Sequence, residues 1–248
     1  TINLAFMLGW QDLRQTYRRS VVGPFWITIG MGLQIATMGV VFGLIFKTPA
    51  QTYVPFLASS IVIWGFIATA VTEGCMSFIQ AEGIIKQLKI PLYVHVLRTL
   101  WKTTLTFGHN LVILPLVFLI VMRPLGVETV LFPIGLLLLI LNLAWIMTLL
   151  GLLSARYRDL PPIVSSLMTI AFYVTPVMWV PNLLPSGTAH LLLGLNPLYH
   201  LLQIVRLPLL GELPTSENWI LAALLAFIGW IFVGFVMKKF KSQIAFWV

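Results

Sequence analysis

Apolar runs of about twenty residues alternate along the chain with shorter polar and basic intervals. Six runs stand out: Phe25 to Phe46, Tyr53 to Ser77, Thr99 to Met122, Thr129 to Leu153, Pro162 to Val180 and Trp219 to Met237. A helix rising about 1.5 Å per residue needs roughly 20 such residues to cross a hydrocarbon core about 30 Å thick, with its backbone polar groups satisfied internally. The only formal charges inside the six are Glu73 and Lys102, each near a run's end. No run alternates apolar and polar positions as a barrel strand does. The pattern predicts an all-α integral membrane protein with six transmembrane helices.

The polar intervals carry their own periodicity. In residues Ile2 to Arg19, Phe6, Trp10, Leu13 and Tyr17 recur at helical spacing. Gln11, Asp12, Arg14, Gln15, Arg18 and Arg19 fall mostly away from that stripe. This predicts an amphipathic helix lying on the membrane surface, broken by Gly23-Pro24. The chain thus divides into an amphipathic segment over residues 1–23 and a six-span domain over residues 24–248. No short apolar core followed by a small-residue cleavage site precedes the first span, so a cleavable signal peptide is not expected. A second interval reads AEGIIKQLKIP from Ala81 to Pro91. Ile84, Ile85 and Leu88 give a short apolar face and Pro91 ends any helix. It is either a basic loop or a short helix that docks onto a cytoplasmic partner. Between the fifth and sixth spans, the runs Ala189 to Leu195 and Leu198 to Leu210 are too short to cross and too apolar for a free loop. They are expected to form two short re-entrant or interfacial helices on the outer side, jointed at Asn196-Pro197.

Composition sharpens this picture. Of 248 residues, 59% are hydrophobic and 9% charged, with a mean hydropathy of +0.99. A soluble domain is about a quarter charged and a disordered chain is polar, so both classes are excluded. The net charge of +8 reflects topology rather than nucleic-acid binding. Twelve Lys and Arg residues lie on one side of the spans: Arg14, Arg18, Arg19, Lys86, Lys89, Arg98, Lys102, Arg156, Arg158, Lys238, Lys239 and Lys241. Three lie on the other: Lys47, Arg123 and Arg206. Basic residues accumulate on the cytoplasmic side, which places both termini there.

Several chemistries lack their residues. Cys75 is the only cysteine, which excludes an intrachain disulfide and a Cys-based metal cluster. There is no HExxH and no Gly-x-Ser-x-Gly elbow. The pairs Lys47-Thr48, Lys102-Thr103 and Lys241-Ser242 follow Phe46, Trp101 and Phe240, whereas a phosphate-cradling loop needs glycine there. Any ATP hydrolysis therefore belongs to another chain, and no cofactor is expected on this one. His109 and Glu73 are candidates for ion coupling, but His109 beside Asn110 reads more simply as an interhelical hydrogen bond.

Two helical faces could meet a polar cargo. On the fifth span Ser165, Thr169, Tyr173 and Pro176 share one side, with Phe172, Tyr173 and Trp179 able to stack on sugar rings. On the first span Gly30, Gln34, Thr37 and Val41 form another small and polar face. Both faces are equally compatible with helix packing.

The sequence resembles the membrane subunit of type-2 ABC exporters for polysaccharides, the group that exports O-antigen, capsule and teichoic acid chains. The resemblance is carried by DLRxxYRRSxxGPxW (Asp12 to Trp26), EGIIKQLKIP (Glu82 to Pro91), ARYRDL (Ala155 to Leu160), YVTPVMW (Tyr173 to Trp179) and NPLYHLLQIVR (Asn196 to Arg206), in order along the frame. It implies a homodimer in the bacterial cytoplasmic (inner) membrane with two copies of a cytoplasmic ABC ATPase, which would hold ATP and Mg. The cargo would be a lipid-linked polysaccharide, threaded through a channel between the two copies. It further implies an interface helix bearing Trp10, Asp12, Arg14, Tyr17, Arg18 and Arg19. A coupling helix would comprise Glu82, Gly83, Ile84, Ile85, Lys86, Gln87, Leu88, Lys89 and Pro91, and an outer gate would be built around Asn196, Pro197 and Tyr199. Competing readings are a type-2 exporter of drugs or small lipids, and an intramembrane enzyme or scaffold acting on lipid-linked glycans.

Overall fold

A computed structural model describes residues 2–18, 23, 25–88, 90–124, 126–181, 187, 192–240 and 243–247. Its regular elements, among the described residues, are all helical. They are α1 (Ile2–Thr16), α2 (Phe25–Phe46), α3 (Ala50–Met76), α4 (Glu82–Gln87), α5 (Tyr93–Leu111) and α6 (Ile113–Val121). A 3₁₀ turn (Val127–Leu131) leads into α7 (Phe132–Arg156), followed by α8 (Leu160–Val174), α9 (Pro197–Leu209), α10 (Ser216–Phe240) and α11 (Ile244–Trp247).

Among the described residues, five helical runs are long and apolar enough to cross a membrane: α2, α3, the α5–α6 run over Tyr93–Ile120, the run Val127–Arg156, and α10. The expected third span starts six residues earlier than its apolar pattern and breaks at Val112. Pro115 explains the break, since it lacks an N–H and its ring crowds the carbonyl one turn back. The expected fifth span is shorter than a crossing. Helix α8 has 15 residues, about 22 Å at the helical rise. It stops because Pro176 forces the residue before it out of helical geometry. Thr175 is extended (φ −82°, ψ 136°), and its N–H closes the last turn on the Ala171 carbonyl.

Helix α3 is the axis of the bundle and packs against α2, α5, α6, α7, α8 and α9. Its buried residues run from Tyr53 to Cys75 around most of the helix. At Gly74 the chain of α7 comes so close that a Cβ would lie 2.7 Å from the Met147 Cγ and 2.9 Å from its Cα.

The N-terminal helix is held to the bundle by small residues, with part of its apolar stripe left on the exposed side. The buried face of α1 is Ala5, Gly9 and Leu13, packed on α5. Phe6 and Trp10, two members of the apolar stripe, are exposed. Small residues chose the face: a Cβ on Gly9 would stand 2.7 Å from the Arg98 carbonyl oxygen of α5. Phe6 still meets Trp101 edge-on, with centroids 4.8 Å apart.

The Asn196-Pro197 joint is a helix start. The Asn196 side chain accepts from the Leu198 and Tyr199 N–H groups at 3.0 and 3.3 Å, and Pro197 occupies the first turn, where its missing N–H costs nothing. Nine residues of α9 are buried. Of the first expected outer piece, Ala189 to Leu195, residues 189–191 lie outside the described residues.

Candidate functional site

Between α2, α3 and α8 lies a cavity of about 410 Å³. Gln34 and Met31 line it from α2, Trp64, Thr69 and Thr72 from α3, and Ser165, Thr169 and Phe172 from α8. Hydroxyls and an amide beside two aromatic rings are unusual company within an apolar bundle. Trp64 and Phe172 meet edge-on at 5.9 Å. On α8 Ser165, Thr169 and Tyr173 are all exposed, whereas Pro176, the fourth member of the expected face, lies beyond the helix end and is buried. The Thr169 hydroxyl donates to the Ser165 carbonyl at 3.1 Å. Tyr173 and Trp179 lie at the C-terminal end of this face, where the Trp179 indole donates to the Tyr173 carbonyl at 3.0 Å. Thr37 is exposed on α2, donates to the Leu33 carbonyl at 2.9 Å, and is absent from the cavity wall.

A second cavity of about 180 Å³ shares Met31, Gly65 and Thr69 with the first. Its walls bring together the two charges that stood alone in the apolar runs. Lys102 Nζ lies 2.6 Å from Glu73 Oε2. Neither pattern nor spacing pairs these residues, because they sit on different helices. Tyr17 and Leu13 of the N-terminal segment close the same cavity. Burial first, and the Glu73 carboxylate second, push the Tyr17 phenol above its ordinary pKa, so it stays a hydrogen-bond donor.

Asp12 faces Arg98 in a two-pronged ion pair, with Nε–Oδ2 at 2.5 Å and Nη2–Oδ1 at 2.6 Å. That pair fastens α1 to α5. Trp10, Arg14 and Arg18 are exposed and Tyr17 is half-buried, while Arg19 lies outside the described residues. Helix α4 has no buried residue. Gly83, Lys86, Gln87 and Leu88 are exposed, Ile84 and Ile85 half-buried, and Lys89 lies outside the described residues. The helix ends before Leu88, which is extended, rather than running on to the exposed Pro91. Lys86 Nζ bonds Glu82 Oε1 at 2.6 Å. That hydrogen bond, the lysine's charge and then Arg158 hold the Glu82 carboxyl below its ordinary pKa.

His109 makes a bond other than the expected one. Its Nδ1 lies 2.7 Å from the Leu105 carbonyl of its own helix. The hydrogen bond between helices belongs to Asn110, whose Oδ1 accepts from the Thr28 hydroxyl at 3.0 Å, while the His109 ring meets Phe25 of α2 edge-on at 5.8 Å.

At the opposite end, Asn196 Nδ2 donates to the Thr175 hydroxyl at 2.9 Å, and Gln203 Nε2 donates to the Tyr199 hydroxyl at 2.9 Å. The feature that sequence reasoning missed is Arg206. Counted there as an outer loop charge, it is 1% exposed and lies among α3, α9 and the turn after α8. The signal available was its place in α9: Gln203 and Arg206 stand three apart, on one face with the apolar positions Ile204 and Leu202 around them.

The bundle, with its apolar runs, defines a multi-pass membrane protein. Residues 3–210 match the ABC-2 type transporter family, and the chain belongs to that family. It is a membrane (permease) subunit of an ABC exporter, a transporter subunit rather than an enzyme, and its family works with an ABC ATPase subunit. Two similar proteins are each called O-antigen export system permease protein RfbA. The one from Klebsiella pneumoniae is 26% identical over 187 residues, covering 71% of this chain and 68% of its own. The one from Myxococcus xanthus is 26% identical over 204 residues, covering 80% and 77%.

Proposed function

We propose that this permease moves a lipid-linked polysaccharide of the O-antigen type across the bacterial cytoplasmic membrane. The observation that carries the reading is the cavity of hydroxyl, amide and aromatic groups between α2, α3 and α8, continued by the exposed face Ser165, Thr169 and Tyr173. Polar groups at membrane depth face a water-filled route or a protein partner rather than lipid. Sugars match both halves of this lining, since hydroxyls bond their hydroxyls and rings stack on their apolar faces. The names of the two similar proteins agree with that cargo.

A polymer is too wide for the packed core of one bundle, so the route runs between two copies of the chain, with α2 and α8 facing the partner. In this reading the remaining crossing is α8 completed by the turn over residues 175–179. Residues 1–23 form the interface segment and residues 24–248 the transport domain, with both termini cytoplasmic. Two cytoplasmic ATPase subunits hold ATP and Mg and push on Glu82 to Pro91. Gln34, Thr37, Phe172 and Trp179 join the path, and Asn196, Pro197 and Tyr199 frame its outer end.

Thr169→Leu and Tyr173→Leu test the path, because each removes a hydroxyl from an exposed position. Export per molecule of recovered complex is the measurement. It should fall severalfold for each while recovery holds; unchanged export for both would make this face a packing surface and reject the reading.

A further inference from the structure

Arg206 is the least expected side chain in the molecule. It is 1% exposed, yet among the described residues it belongs to none of the ion pairs. Its donors go instead to neutral oxygens. Nε and Nη2 both reach Gln203 Oε1, at 3.0 and 2.7 Å, and Nη1 reaches the Ser60 hydroxyl at 2.8 Å and the Pro176 carbonyl at 2.6 Å. The guanidinium also lies 4.5 Å from the ring centroid of Phe56. Burying a cation without a counter-charge costs more than filling the same space with an apolar side chain. Packing alone therefore does not account for an arginine here.

The geometry shows what the arginine adds. Helix α9 is a fixed wall: His200 bonds Asn218 of α10 at 2.8 Å, and the Thr129 hydroxyl bonds the Pro208 carbonyl at 3.1 Å. The turn after α8 is closed locally by the Val177 N–H on the Thr175 carbonyl at 2.7 Å, a bond that shapes the turn but does not tie it to another helix. Three side chains hold it: Arg206 at Pro176, Tyr53 at the Met178 carbonyl (2.6 Å), and Asn196 at Thr175. Arg206 is itself locked by a doubled bond to Gln203 of its own helix, as Asn196 is by the two N–H groups its side chain accepts. A planar fork can do this, whereas a lysine offers one point of attachment. The turn in turn carries Trp179, whose indole caps the end of α8 at Tyr173.

We propose that Arg206 is a positioning residue for the cargo route. From α9 it holds the Pro176 carbonyl, and so sets where the 175–179 turn presents Trp179 against the Tyr173 end of α8. The proposal rests on the reading that these two side chains face the cargo.

The test uses the complete complex with its ATPase subunits in detergent, carrying Cys75→Ala and Met178→Cys. The rate at which N-ethylmaleimide labels the half-buried position 178 reports the turn, whatever the cargo. Arg206→Met should be recovered at near the parental level, since it leaves no buried carboxylate unpaired. Labelling should then be roughly tenfold faster, the scale set by losing one charge-assisted hydrogen bond. Arg206→Lys should fall between the two, and it provides the measurement if Arg206→Met is not recovered. Parental labelling rates in a recovered variant would overturn the proposal, as would loss of both variants from the membrane, which would make Arg206 a folding residue. Export in the same strains separates the two claims. Faster labelling with undiminished export rejects the cargo reading of the turn, while reduced export at a parental labelling rate rejects the latch.

Discussion

Helices α2 and α3 are nearly equal in hydropathy and adjacent in the chain, yet they have opposite surroundings. Sixteen residues of α3 are buried, Ser59, Ser60, Gly74 and Cys75 among them. In α2 only Ile35 and Gly39 are, while Leu33, Val40 and Leu44 are exposed. Apolar content measures transfer out of water, and in a membrane both lipid and protein satisfy it equally. What separates the helices is shape. Small side chains in α3 let α7 approach at Gly74, whereas a Cβ on Gly30 or Gly32 of α2 meets nothing within 4 Å. The open face of α2 is the one that the proposed second copy would cover.

This contrast can be broken by paired substitutions. Leu57 of α3 is fully buried and Leu44 of α2 is 76% exposed. Leu57→Ala should cost about 2–5 kcal/mol, and Leu44→Ala within about 0.5 kcal/mol. The thermal midpoint of monodisperse protein in detergent reads both; equal losses would erase the distinction.

The glycines give a smaller effect in the same direction. Gly74→Ala forces a methyl against the Met147 backbone and should destabilise by about 1–3 kcal/mol. Gly32→Ala should be neutral, or stabilise by up to about 1 kcal/mol through helix propensity. A thermal midpoint that falls for Gly32→Ala as much as for Gly74→Ala would show that α2 is packed where the structure leaves it open.

Helix α1 is an intermediate case, with one buried edge and one ion pair. Asp12→Asn should weaken its docking by about 1 kcal/mol, the scale of a partly exposed pair. A cysteine replacing the buried Ala5, in the Cys75→Ala background, should then label several times faster while the bundle's midpoint holds. Unchanged labelling would assign the docking to Gly9 and Leu13 alone.

The exposed α4 marks the far end of the scale. Lys86 lowers the Glu82 pKa, so the pair's contribution is present above the unfolded carboxyl value, about 4.3, and is lost as pH falls through the lower folded value. Proteolysis of residues 80–91 should therefore not vary between about pH 5 and pH 8. Glu82→Gln should leave protein recovery intact. Acceleration of cleavage already near neutral pH would contradict the pairing.

Much of the frame was legible residue by residue. The first span coincides with α2, and the second and sixth agree with α3 and α10 to within three residues at either end. The break before Pro115, the stop before Pro176 and the helix start at Pro197 are written in local chemistry, although apolar content alone does not reveal the first two. The α8 register was legible too, because Ser165, Thr169 and Tyr173 are placed by the helical period. The buried face of α1 was not. Its largest apolar residues pointed one way, and the close approach at Gly9, which depends on another helix, decided for a neighbouring face.

Length, hydropathy and the positions of proline determined by themselves that the chain is a helical membrane protein, and where most of its helices begin and end. These are properties of a segment in its solvent, so they are local and additive. Tertiary structure alone decided that Glu73 meets Lys102, that Asp12 meets Arg98, and that Arg206 leaves solvent for the junction of α3, α9 and the turn at Pro176. Each of these depends on two helices whose relative rotation no single segment encodes, because rotating a helix changes its partners without changing its period, its length or its hydropathy.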